Sequence, residues 1–182
     1  VIWQPRGTGS EVQSRYIMDG LGLDPDRDFV PIYTRTFNDG PPLIFENRAA
    51  ALWGSGLRLP TFVQIAEYPL GVRFIVPDAQ EIARIHARHP FLVPLTVARG
   101  TYPGQSQPVT TVGSASFIVA RADLDATLVT RLVAALYKAE RLTLKSPYLA
   151  QTTAAITLAS VPSLAALHPA VLKFFRDNAI AP

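Results

Sequence analysis

The sequence predicts an α/β protein, a mixed sheet flanked by helices, and three observations predict it. Apolar runs of strand length alternate with stretches whose apolar residues recur at helical spacing. Clusters of Gly, Pro, Asn and Asp punctuate them at "RGTGS", "DPDRD", "NDGPP" and "RGTYPGQ". The chain has 182 residues, 48% hydrophobic and 17% charged, enough to bury a core in one large domain or two small ones.

Val1–Trp3 is a short apolar run that ends near Pro5 and leads into a turn with two glycines. Beyond that turn Val12, Tyr16, Ile17 and Leu21 fall at helical spacing, with Gln13, Ser14 and Arg15 on the other side. Ser10 with Gln13 fits a capping box, Thr8 with Glu11 fits one in an overlapping register, and Gly22 is a natural stop. "DPDRD" is a polar turn, and "FVPIYT" reads as an edge strand because Pro31 interrupts it. "NDGPP" reads as a turn, "AAALW" as a small buried strand ending in "GSG", and Thr61–Tyr68 as a helix closed by Pro69.

"VRFIV" (residues 72–76) alternates weakly and predicts a strand. Asp78 can cap "AQEIARIHARH", with Ile82 and Ile85 three apart, until Pro90. "FLVPLTVA" is a strand interrupted by Pro94, and "TTVGSASFIVAR" (110–121) is the longest strand candidate, expected to be central. Leu128, Val129, Leu132, Val133 and Leu136 form the clearest apolar helical stripe. Ser146–Thr157 carries no firm signal, and Pro169 suits the first turn of a final helix with Lys173 and Asp177 as an i, i+4 pair. No internal repeat or low-complexity tract interrupts this order.

Composition narrows the function classes. A net charge of +3 with no Lys/Arg stripe argues against nucleic acid and suits anionic small molecules. No apolar stretch reaches the roughly 18 residues that span a bilayer. The absence of cysteine removes disulfides, a thiol nucleophile and Cys-based metal sites. The chain opens inside an apparent strand without Met or signal peptide, so it reads as a processed or excised piece.

A strand, a Gly-rich turn and a helix start make an anion site at "RGTGS". A P-loop needs a lysine, and none precedes Lys138; a dinucleotide fingerprint needs a third glycine where Val12 stands. The chain contains no Gly-x-Ser-x-Gly nucleophile elbow, although Ser55 lies between glycines. His86 and His89 lie three apart on a helix, but Arg84 and Arg88 beside them would repel a cation, so they read as a solvated face. Asp24, Asp26 and Asp28 read as a solvated charge run. Non-catalytic anion capture remains, by backbone N–H groups and the Thr8 and Ser10 hydroxyls, against the plain alternative that Ser10 only caps its helix.

Four stretches in order resemble the TAXI family of solute receptors, the extracytoplasmic binding proteins of TRAP transporters. "RGTGSEVQSRYIMDGLGL" is similar to its Gly-Ser-Gly-Thr turn, helix and Gly-Leu exit. "AAALWGSGLRLPTFVQIA" is similar to its Asp-Ala-x-Phe strand, glycine turn and Pro-headed helix. "ARGTYPGQSQPVTTVGSASFIVARADL" is similar to its Gly-Thr-Tyr-Pro-Gly turn and following strand, and "LHPAVLKFFRDN" to its Leu-His-Pro-Gly-Ala helix. The turn here swaps two hydroxyl residues, the strand Asp is replaced within Ala49–Ala51, and Ala170 stands for a family Gly.

The resemblance implies a type II periplasmic-binding-protein-like lobe, residues 1–120, and a C-terminal helical return, 121–182, that packs on the lobe or lobes. It also implies an N-terminal lobe that this chain lacks, hence millimolar or unmeasurable affinity for small dicarboxylates. By the same analogy Thr8, Gly9 and Ser10 line a cleft, Trp53 and Gly54 give a stacking wall and close backbone approach, and Tyr102 adds a phenolic hydroxyl. Trp53 reads equally as core and Tyr102 equally as a turn brace; Arg58 reads as an exposed arginine before it reads as a carboxylate partner, and His168 as a helix start.

The expected function is a periplasmic or otherwise extracytoplasmic receptor for a small organic acid or amino acid, working with the membrane subunits of a TRAP transporter. It is expected to be no enzyme and to need no cofactor, metal or nucleic acid. The alternative is a ligand-sensing regulatory domain of similar fold, and a hydrolase acting through Ser10 is a third reading.

Overall fold

A computed structural model describes residues 1–69, 71–143, 149 and 151–181. The chain divides into two units, Val1–Ser114 and Ala115–Pro182. Residues 146–148 and 150 of the stretch without a firm signal lie outside the described residues.

The first unit is built around the opening run. Ile2 makes parallel bridges to Ile32 on one side and Leu52 on the other. Backbone bonds of 2.8–2.9 Å (Trp3 N–H to Ile32 C=O, Ile32 N–H to Val1 C=O, Ile2 N–H to Ala51 C=O, Trp53 N–H to Ile2 C=O) hold the three segments. Val1–Trp3 is thus the middle of three short parallel segments. Each is too brief to propagate a ladder, because Gln4 turns into the left-handed region (φ 73°) and Pro31 lacks a donor.

From this middle segment the chain enters helix α1, Gly9–Leu21. Of the two capping registers the Thr8 one forms: Thr8 Oγ1 accepts from Glu11 N–H at 3.3 Å. The Glu11 carboxylate reaches back to Gly7 N–H, also at 3.3 Å. Gly22 closes the helix at φ 77°. The buried face differs from the expected one, since Ser10, Glu11, Ser14, Ile17 and Gly20 point inward while Val12 and Tyr16 stay exposed. Ser14 is tolerated there because its hydroxyl donates to Glu11 C=O at 2.6 Å.

The segment read as the turn "NDGPP" is helical instead. A 3₁₀ turn, Phe37–Asp39, runs into α2, Gly40–Phe45, because proline at the first helical positions has no N–H to leave unsatisfied. Helix α3 spans Pro60–Ala66 and α4 Ala79–Arg88, the latter with a full Asp78–Glu81 capping box. Antiparallel strands β1, Val93–Val97, and β2, Val109–Gly113, pair from Val93↔Gly113 to Val97↔Val109.

The core joins α1, α4 and this hairpin through Ile17, Ile82, Ile85, Leu92 and Val112, with Met18, Leu21 and Trp53 packed against it. Where α1 crosses α4 a Cβ on Gly20 would lie 2.8 Å from the Ile85 Cα, so only glycine permits the approach. Arg88 and His89 both bond Asp19, at 2.5 and 2.7 Å, and tie the helix ends together.

Two strand expectations fail. Residues 72–76 are irregular, with Ile75 85% exposed, and beyond Gly113 the run 114–121 forms no strand, with Val119 92% exposed. Alternation supplies faces, but a strand also needs a neighbour to complete its hydrogen bonds, and none is present among the described residues.

The second unit is helical: α5, Ala126–Thr143; α6, Ala154–Ser160; and α7, Pro169–Asp177. Helix α5 packs on α7, with Tyr137 edge-on to Phe174 at 5.7 Å. Of the expected stripe, Val129 is buried while Leu128, Leu132 and Leu136 remain about half exposed. His168 caps α7, its Nδ1 accepting from Ala170 N–H and its Nε2–H donating to Leu124 C=O, both at 3.1 Å. No helix among the described residues is long and apolar enough to cross a membrane.

Candidate functional site

Ligands of sheets with parallel strands sit beyond the carboxyl ends of the strands. Here those ends are Thr34, Gln4 and Gly54, each two residues past the Ile32, Ile2 and Leu52 bridge positions. The helix that follows the middle segment starts at the same end, and its first N–H groups precede any intrahelical partner.

Trp53 holds this corner together. Its carbonyl accepts from Gln4 Nε2 at 2.6 Å, and its indole N–H donates to Ser10 C=O at 2.9 Å. A backbone carbonyl can only accept, so the first bond orients the Gln4 amide and leaves Oε1 as the free atom. Gln4 is 1% and Ser10 9% exposed. Gln4 Oε1, Ser10 Oγ and Thr34 Oγ1 are buried without a hydrogen-bond partner among the described residues, as is Trp3 Nε1. Such atoms are rare in folded proteins because each costs about 1–3 kcal/mol.

The residues expected from the sequence separate into two groups. Thr8, Gly9, Ser10 and Trp53 meet at the start of α1. Thr8 is internally occupied there: its hydroxyl donates to Pro5 C=O at 2.8 Å while accepting from Glu11 N–H. Ser10 does not cap, so its hydroxyl is the one left over.

Tyr102 and Gly54 belong to a second, aromatic group. The Tyr102 hydroxyl accepts from Leu59 N–H at 3.2 Å, and its ring packs 6.0 Å from Phe62 and 5.1 Å from Phe74. Burial pushes its pKa up, against a smaller opposite pull from the Leu59 and Arg58 amides. A Cβ on Gly54 would lie 2.6 Å from Leu59 and 2.9 Å from Phe62, so close packing within the protein accounts for this glycine. Arg58 is exposed, with φ 50°.

Acid–base groups lie at the periphery. The Arg6 guanidinium stacks 3.8 Å over the Tyr33 ring. Asp26 bonds both Tyr33 and Arg15, and those two bonds, Tyr33's first, hold its carboxyl below the usual range. Asp26 stays exposed, as expected of a solvated charge, and is also the centre of this network. Exposed His86 keeps to the solvated face expected, its Nδ1 meeting Leu92 C=O at 2.9 Å, whereas His89 is partly buried and meets Asp19. No group of three His, Asp or Glu side chains placed to hold a metal occurs among the described residues. Surface clefts of ≈ 430 and ≈ 450 Å³ lie elsewhere, at the α1 C-terminal end and beside Gly104–Gln107.

Gln4 and Thr34 escaped sequence reasoning. Their only signal was position, each following an apolar run of strand length.

A family model of the NMT1-like family matches residues 4–178. The chain belongs to the NMT1-like family. Its members are periplasmic solute-binding proteins with a periplasmic-binding-protein-like fold, which agrees with helices flanking a small sheet here. The family comprises binding proteins rather than enzymes, and its members are typically extracytoplasmic and take small-molecule ligands. No curated protein matches the chain.

Proposed function

We propose that this member of the NMT1-like family is a receptor for a small organic acid or amino acid, acting outside the cytoplasm with the membrane subunits of a TRAP-type transporter. Residues 1–120 serve as the ligand-binding lobe and 121–182 as the helical return. The observation that carries the reading is that three residues with an unsatisfied buried oxygen, Gln4, Ser10 and Thr34, stand at the carboxyl ends of the parallel segments and at the start of α1. A carboxylate suits that place: the first α1 N–H groups point outward from the helix, and its dipole contributes about 0.3–1 kcal/mol.

Trp53 supplies an aromatic side and Gly9 an open backbone, since nothing lies within 4 Å of where its Cβ would be. The TRAP assignment rests on the four motifs resembling the TAXI receptors. No bond is made or broken; ligand binding shifts an open–closed equilibrium that the membrane subunits read.

A nitrogen-15 labelled sample titrated with small carboxylates to about 50 mM, enough to saturate a millimolar site, tests the reading. Amide shifts centred on Gly9, Ser10 and the Gln4 side chain are expected. A spectrum unmoved by every acid would overturn it.

A further inference from the structure

We infer that the cleft of ≈ 450 Å³ beside residues 103–107 is a second binding site, suited to a small monocarboxylate that carries an apolar ring. It lies within the first unit, lined by residues 71–74 and 103–107 with Ala66 and Val109. None of these belongs to the α1 corner, so the inference stands apart from the receptor reading. The volume falls in the range of small-molecule pockets, about 300–1,000 Å³.

The two clefts of this unit are nearly equal in size and differ in charge. At the α1 C-terminal end each lining arginine is held by a carboxylate: Arg88 by Asp19, Arg15 by Asp26 and Arg27 by Asp28. Beside 103–107, Arg73 is the single charged residue among the described lining residues. Its guanidinium has no ion pair or hydrogen bond among the described residues. A planar fork of donors with no carboxylate of its own fits an incoming one, which it can bind through two parallel bonds. The Ser106 hydroxyl and the Gln107 side-chain amide line the same cleft, exposed and likewise without a partner among the described residues.

The rest of the lining is apolar and braced. Phe74 packs against the buried Tyr102 ring at 5.1 Å and offers an aromatic contact, with Val72 and Pro103 along the same cleft. Gln105 ties the loop from inside: its Oε1 accepts from Tyr102 N–H at 3.2 Å and its Nε2 donates to Gln107 C=O at 2.9 Å. A Cβ at Gly71 or Gly104 would meet nothing within 4 Å, so backbone lies bare in both segments. One cation beside an apolar wall suits a single negative charge on an apolar body. The second charge of a dicarboxylate would find no cation there.

The test titrates the nitrogen-15 labelled chain with phenylacetate, with phenylacetamide, which lacks the charge, and with acetate, which lacks the ring. Phenylacetate is expected to shift the Gly71, Arg73, Gly104 and Ser106 amides saturably, and to bind about tenfold more tightly than either control. Arg73→Gln, at an exposed residue without a partner, is expected to keep the fold and weaken phenylacetate about tenfold.

Phenylacetamide or acetate binding within twofold of phenylacetate overturns the inference, as does unchanged phenylacetate affinity in Arg73→Gln. Four amides left unmoved by phenylacetate up to about 50 mM overturn it equally. Shifts at Gly9 and Ser10 report the receptor reading separately, so either site can fail while the other stands.

Discussion

Two turns in this chain begin with the same three residues. Arg6-Gly7-Thr8 precedes α1, and Arg99-Gly100-Thr101 comes after β1. Locally they are the same object. Both glycines are left-handed, at φ 77° and 74°. Both threonine N–H groups reach the carbonyl three residues back at 3.3 Å, and both hydroxyls bond that carbonyl, at 2.8 and 2.7 Å.

Their surroundings separate them. After Thr101 the chain consumes its polar groups internally: Gly100 N–H bonds Gln105 C=O, Tyr102 N–H bonds Gln105 Oε1, and the Tyr102 hydroxyl accepts from Leu59 N–H. After Thr8 it enters a helix beside Ser10 Oγ and Gln4 Oε1, which stay unsatisfied. A shared turn therefore yields a structural brace in one place and a candidate binding corner in the other. The decisive difference is whether neighbouring donors and acceptors are matched within the protein.

The largest effect tests the shared part. Gly7→Ala and Gly100→Ala should each destabilise the first unit by about 1–2 kcal/mol, because an L side chain resists the left-handed region. The two losses should be similar, although neither added Cβ would meet a neighbour. Urea unfolding monitored by fluorescence reports this unit, since both tryptophans, Trp3 and Trp53, lie in it. A large gap between the two variants would break the equivalence.

The next comparison sharpens the contrast. Tyr102→Phe strips the acceptor from Leu59 N–H and should cost about 1–1.5 kcal/mol. Ser10→Ala removes a buried atom with no partner and should leave stability unchanged or raise it, by up to about 1–3 kcal/mol, while weakening ligand binding. A Ser10→Ala loss as large as that of Tyr102→Phe would mean that the hydroxyl has a structural partner after all.

Smaller differences arise from the caps and charges. Thr8→Ala loses a helix cap and should cost about 1 kcal/mol, against about 0.5 kcal/mol for Thr101→Ala, which starts no helix. The smallest effect concerns acid. Arg6 faces Asp26 at 3.5 Å and stacks on Tyr33, whereas Arg99 has neither kind of partner among the described residues. The folded-state pKa of Asp26 is lowered, chiefly by Tyr33 and then Arg15. Its contribution is complete above the ordinary carboxylate value, about 3.9, and is lost as pH falls through the depressed one. Asp26→Asn should flatten only the part of the stability profile below about pH 4, read by the same unfolding measurement.

Legibility tracked the range of the interactions. The α1 cap at Thr8, the Gly22 stop, the Asp78 cap and the Pro169 helix start are contacts within one helical turn, and each stood in the sequence. Among the candidate site residues, Ser10 and Trp53 stood out in the sequence because a glycine turn before a helix and an aromatic at the end of an apolar run are local patterns. Gln4 and Thr34 were not, since their role depends on bridges from Ile2 to Ile32 and Leu52, 30 and 50 positions along the chain. The runs at 72–76 and 114–121 failed for the related reason that alternation does not provide a pairing neighbour.

By itself, then, the sequence determined the starts of α1, α4 and α7, the Gly22 stop and both Arg-Gly-Thr turns, because backbone preference and side-chain chemistry act over a few residues. Tertiary structure alone decided which turn keeps unsatisfied polar atoms. Three short parallel segments and one tryptophan bring Gln4 and Ser10 to the same corner, while Leu59, donating to Tyr102, closes the other. Hydrogen-bond satisfaction is a property of neighbours in space, and those neighbours are set only when the chain is packed.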